Sequence, residues 1–169
     1  MTIEANLLDW MKYTTGLATV KQAPYSGARP ATPYGTFQIN TVAPLQHGYK
    51  VTTTEGETSF TDKRFTQAVI TVSANVYADK GYSYLTNSLS SNDWWEARMK
   101  LLEGDIKLAF QYGSAPINLT GLGDTDFRSR WQSDFTFYAD LTHERTRYVI
   151  SQWDLAGQFS DIQSEITYP

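Results

Sequence analysis

With 169 residues, no cysteine and a formal net charge of −4, the chain is long enough for one self-sufficient domain and is closed to thiol chemistry, disulfides and cysteine-held metals. Its 14 Lys and Arg are scattered along the sequence, which argues against a nucleic-acid groove, and no apolar run approaches the roughly 18 residues of a membrane span. The start, Met1-Thr2-Ile3-Glu4, lacks the basic and apolar regions of a signal peptide, so a protein made and used in a cytoplasm is expected.

Thr2 is placed to cap a helix in which Ile3, Leu7, Trp10 and Met11 share a face and which Gly16 stops. Residues 19–22 predict a short strand, and 24–33 a loop stiffened by Pro30 and Pro33. A strand follows over 34–42, with Phe37 and Ile39 on its apolar face. A turn at Gln46-His47-Gly48 leads to a returning strand over 49–54, and the polar run 55–62 reads as a loop or hairpin tip. From Arg64 the alternation is clear: Ala68, Ile70, Val72, Ala74 and Val76 point one way.

Asp79 or Ser83 opens a second helix carrying Tyr82, Leu85 and Leu89. Asn92 caps a third, with Trp95, Met99 and Leu102 on one side and Gly104 at its end. Ile106, Leu108 and Phe110 mark another strand, and 113–126 reads as loop. The best amphipathic strand covers 130–141, with Trp131, Ser133, Phe135, Phe137, Ala139 and Leu141 on one face. Thr142-His143-Glu144 predicts a tight connection to a hairpin partner over 145–153. Helices segregated from hairpins predict an α+β fold: a mainly antiparallel (mixed) sheet with two or three helices packed on one face. The expected organisation is one domain over 1–157 and a C-terminal arm over 158–169.

Catalytic chemistry is not expected. His47 and His143 fall in predicted turns without an orienting acid or further ligands. The pairs Glu55/Glu57, Glu103/Asp105 and Asp124/Asp126 lie beside glycine, where acids are solvated or hold turns. Asp124-x-Asp126 lacks the later Gly and bidentate Glu of a calcium loop, and Gly121-Leu122-Gly123 fits no phosphate-binding motif. Trp94-Trp95 diverge by about 100° on a helix, so one is expected in the core and Trp94 at an interface. No metal or cofactor is expected.

The segment Arg29-Pro30-Ala31-Thr32-Pro33-Tyr34, set between a helix and a strand, resembles the Arg-Pro-x-x-Pro-Tyr lead-in of the neck and tail-terminator proteins of tailed bacteriophages. The strand over 66–77 running into Ala78-Asp79 and a helix with Leu85 and Leu89 resembles the same family, as does an Arg-containing hairpin over 128–150. The resemblance implies a structural virion protein of the neck or tail, assembled in the host cytoplasm. It implies a ring, a homo-hexamer, that caps the tail tube and joins it to the head-completion or connector protein. The tail sheath is a further candidate partner, and DNA would pass through without specific binding. The motif loop is then Arg29, Pro30, Pro33 and Tyr34. Trp94 and the arm residues Phe159, Ile162, Ile166 and Tyr168 are candidate interface groups, because such apolar side chains need a partner surface. Glu55, Glu57, Asp124 and Asp126 are candidate lumen acids. Two alternatives stay open: another head–tail connector or minor tail protein, and a ligand-binding β-rich module using Tyr and Trp.

Overall fold

The structure, a computed structural model, describes residues 2–24, 26–45, 48–54, 59–103, 106–121 and 129–148. Helix α1 (Ile3–Thr15) begins as expected, with Thr2 Oγ1 accepting from the Ala5 N–H at 3.4 Å. It ends where Gly16 adopts φ 71°, a left-handed conformation that glycine takes without Cβ strain, and the Gly16 N–H donates to the Lys12 carbonyl. β1 (Val20–Gln22) runs parallel to β2 (Tyr34–Pro44). β2 in turn pairs antiparallel with the second half of β4 (Ser59–Tyr77), from Tyr34↔Tyr77 to Pro44↔Ala68.

β3 (Tyr49–Thr54) is not the returning partner of β2 that the sequence suggests. It pairs with the first half of β4, from Tyr49↔Phe65 to Thr54↔Phe60. β4 has 19 residues, enough to serve two partners in succession. The polar run expected as a loop therefore ends in strand, and Asp62 is buried within it at 6 % exposure.

After β4 come α2 (Gly81–Ser90), a 3-10 turn (Ser91–Asp93) and α3 (Trp95–Leu102). β5 (Leu108–Gly113), the two-residue β6 (Ile117–Asn118) and β7 (Arg130–Tyr148) complete the sheet. β6 pairs with Trp131 and Gln132 inside what the sequence marks as loop. The expected hairpin at residues 142–144 is absent: β7 runs straight through to Tyr148. Thr142, His143 and Glu144 offer no Gly, Asn or Pro to reverse the chain, and a β-branched Thr favours continuation. The strand order is β1-β2-β4-β7-β5, with β3 added to β4 and β6 to β7. Among the described residues the result is an open, mixed seven-stranded sheet with three α-helices, an α+β fold.

The chain divides into two compact units, Met1–His47 with Thr66–Leu141, and Gly48–Phe65 with Thr142–Pro169. In the first, α1 packs against α2, α3 and β1. The Trp10 ring lies 5.3 to 5.8 Å from those of Phe110, Phe135 and Phe137, in edge-on and stacked contacts. Ala68, Ile70, Val72, Ala74 and Val76 of β4 are buried, as their alternation predicts. Two polar ties fix the helices. Asn6 Nδ2 donates to the Ile106 carbonyl at 2.9 Å, and the Thr14 and Ser88 hydroxyls meet at 3.0 Å between α1 and α2.

The first unit also corrects the reading of α3. Its buried side chains are Ala97 and Leu101, one turn apart. Residue 95 lies about 200° round the helix from 97, so Trp95 turns outward and is 69 % exposed. Trp94, the residue before the helix, is 48 % exposed, so neither tryptophan enters the core. Leu102 is also exposed, and the N-cap position of α3 falls on Trp94, which makes no side-chain capping bond, and not on Asn92. In α2 the inward positions are Gly81, Leu85 and Ser88, while Tyr82 is exposed.

Candidate functional site

The proline loop forms a corner of the first unit. Arg29, Pro30, Ala31, Thr32 and Pro33 face Ala78, Asp79 and Lys80, which connect β4 to α2, and with Tyr84 and Ser129 they line an open cavity of about 920 Å³. The Ala23–Pro24 and Thr32–Pro33 peptide bonds are cis. At the end of the loop Tyr34 is buried to 2 % exposure and stacks on Tyr77, its register partner, with centroids 4.6 Å apart and planes 11° apart. The Arg130 guanidinium stands 5.9 Å from the Tyr77 ring centre, and its Nε donates to Asn75 Oδ1 at 3.1 Å. The Ala78 N–H donates to the Ser129 carbonyl, joining the end of β4 to the start of β7. Tyr34 thus acts as the anchor of the motif, while Arg29, Pro30 and Pro33 shape the cavity wall. The sequence marks the loop but not Tyr77 or Arg130, whose part depends on strand register.

Beside this corner the sheet carries a hydrogen-bonded polar ladder. Asn40 Nδ2 donates to the Ser73 hydroxyl at 2.7 Å, Ser73 donates to Asp134, and Gln132 Nε2 reaches the same carboxylate at 3.4 Å. On β5 and β7, Gln111 Nε2 donates to the Tyr138 hydroxyl at 2.6 Å. These groups satisfy one another in a structural pattern, and no nucleophile–base pair emerges from them. Among the described residues no group of three or more His, Cys, Asp and Glu side chains is placed to hold a metal ion. No helix among them is long and apolar enough to cross a membrane.

The second unit brings together charges that the sequence scatters. Lys50 lies directly opposite Arg64, and Val51 opposite Lys63. Asp62 accepts from Thr52 Oγ1 at 2.7 Å and pairs with Lys50 Nζ at 2.9 Å. Lys63 pairs with Glu144 of β7 at 2.8 Å. Strand alternation then puts Lys50, Asp62 and Arg64 on the face away from Lys63. There they line a groove of about 290 Å³ together with His143, Glu144 and Arg145. Arg64 and Arg145 are exposed and face no paired acid among the described residues. His143 is therefore a groove wall on a strand, not a turn residue. Tyr49, 67 % exposed, stacks on Phe65 at 5.0 Å.

Of the candidates read from sequence, the structure groups Arg29, Pro30, Pro33 and Tyr34 in one corner and leaves Trp94 on the surface. Phe159, Ile162, Ile166 and Tyr168 lie outside the described residues, as do Glu55, Glu57, Asp124, Asp126 and His47. Trp95, Tyr112 and Ile117 are exposed large apolar groups that the sequence reading did not assign to an interface. In β6 the cue was the alternation of Ala115, Ile117 and Leu119.

The described residues form an α+β scaffold whose conspicuous features are an anchored loop, surface aromatics and a basic groove. The family model of the phage neck terminator protein matches residues 1–162, and the chain belongs to that family. It is a structural protein of the phage virion's neck or tail region, where it meets other virion components. No curated protein matches the sequence.

Proposed function

We propose that the chain closes into a six-membered ring at the head-proximal end of the tail tube, halts tube growth there, and presents its outer face to the head-completion protein. The family match over residues 1–162 carries this reading. Exposed Trp94, Trp95, Tyr112 and Ile117 support it, since such groups on a small domain suit burial against other subunits. A head-to-tail contact uses two different patches on each copy and closes a ring when the rotation per subunit fits. The arm over 158–169 contributes to this contact, and Glu55, Glu57, Asp124 and Asp126 face the lumen. The protein works by shape and contact, without catalysis or cofactor, and assembles in the host cytoplasm. The tube protein, the head-completion protein and, in a contractile tail, the sheath are its partners.

The test is a tube-growth assay with the purified chain and its cognate tube protein. Tubes should acquire a terminal ring of six copies, visible by electron microscopy, and stop lengthening. Tubes that grow equally long and bare-ended with the chain in excess would remove the terminator role.

A further inference from the structure

The basic groove of the second unit has a counterpart within the same chain. Lys50, Arg64 and Arg145 line it with His143, and its two acids are already paired, the buried Asp62 with Lys50 and Glu144 with Lys63. Like charges directly opposite on neighbouring strands repel, and Lys50 stands opposite Arg64. Of the two carboxylates that line the groove, Asp62 is taken by Lys50 and Thr52 and Glu144 by Lys63, which leaves the charges of Arg64 and Arg145 over, so this face is best completed by an anionic partner. The groove's size, about 290 Å³, matches a few side chains, and its lining is largely the apolar stems of long cationic residues. A ligand bearing both carboxylates and apolar groups fits those features better than a phosphate backbone does.

The final 21 residues, 149–169, have that composition. They contain Asp154, Asp161 and Glu165, no Lys or Arg, and the apolar residues Trp153, Phe159, Ile162, Ile166 and Tyr168. We infer that residues 158–169 of a neighbouring copy dock on the Lys50, Arg64 and Arg145 face, with Asp161 and Glu165 meeting the guanidinium groups and the apolar residues covering their stems. This deepens the ring reading and rests on it, since a face on one copy and an arm on the next make the head-to-tail contact such a ring requires. The contact is charge-dependent, so it weakens as salt rises.

Native mass spectrometry of two full-fold variants tests the idea. One carries Arg64→Glu with Arg145→Glu, which spares the Lys50–Asp62 pair; the other lacks residues 158–169. Thermal melting and circular dichroism establish that each is folded, and Arg64→Gln with Arg145→Gln serves if the reversal variant is not. Each variant alone should be monomeric where the wild type forms rings. Mixed one to one, the intact arm of the first should dock on the intact face of the second, giving a heterodimer that cannot grow. Rings formed by either variant alone, or a mixture that stays monomeric, would overturn the inference while leaving the wild-type ring in place. A wild type that forms no ring even on tail tubes would instead overturn the ring reading and this inference with it. Duplex DNA held by the face and released by the Arg64/Arg145 reversal, with no heterodimer, would assign the groove to phosphates and also count against the arm.

Discussion

At the scale of single residues, the loop motif earns its place through Tyr34. Its ring is buried against Tyr77, which Arg130 covers in turn, so the lead-in loop is tied to three strands at one point. Tyr34→Ala should cost about 3 kcal/mol, in the range for deleting a buried aromatic ring, whereas Tyr34→Phe should retain most of the stack. Urea unfolding measures both, and an alanine variant as stable as the wild type would show that the stack does not hold the corner. Two glycines make a second test. A Cβ on Gly81 would meet the Trp131 indole, with Cγ at 2.9 Å, and one on Gly113 would strike Leu89 and stand 2.8 Å from Phe135 Cδ1. Trp131 is held by Tyr82 edge-on at 5.6 Å, and Phe135 by Trp10, so neither ring can withdraw freely. Gly81→Ala and Gly113→Ala should each destabilise by about 1–3 kcal/mol. Gly27→Ala, with nothing within 4 Å of its Cβ, is the control and should leave the unfolding midpoint nearly unchanged.

Among the elements, those with one buried face were legible in the sequence. The alternation of Ala68 to Val76 and of Trp131 to Leu141 gave both long strands their inward faces, and Thr2 and Gly16 set the ends of α1. Partner choice was not legible. Nothing in residues 49–54 says whether they pair with β2 or with the far half of β4, because each register satisfies the same local pattern. The third part of the family resemblance failed as a hairpin for a related reason: a polar Thr-His-Glu run reads as a turn until one asks which residue could reverse the backbone. The corner at Tyr34 was half legible, as a motif without its partners, and the basic groove was hidden because its residues come from three strands. That groove makes a prediction for β3. Asp62→Asn keeps an acceptor for Thr52 but leaves Lys50 facing Arg64 without the carboxylate. Lys50 is partly solvated, so the loss should be modest, about 1–2 kcal/mol, and local. Amide hydrogen exchange should show the β3 amides losing protection while those of Ile70 to Val76 keep theirs. Equal protection of β3 in both proteins would mean that the strand pairing does not depend on Asp62.

For the molecule as a whole, the sign of its charge bears on what the proposed ring would do to a genome passing through it. In the proposed ring, six copies at −4 each would carry roughly −24, a field that repels phosphates at long range. The local exception is the groove of Lys50, Arg64 and Arg145, and in the proposed ring this is the face that a neighbouring arm would cover. Such covering would serve two ends: it would join subunits, and it would remove from solution the cations best placed to hold DNA. The assembled ring should therefore show little affinity for duplex DNA even at low salt, where any electrostatic attraction is least screened. Fluorescence anisotropy with a labelled duplex at about 20 mM salt reads this directly, since the Debye length there exceeds 20 Å. Tight binding that collapses between low and physiological salt would show cations left open to the lumen, and the ring would then grip the genome where a conduit must release it.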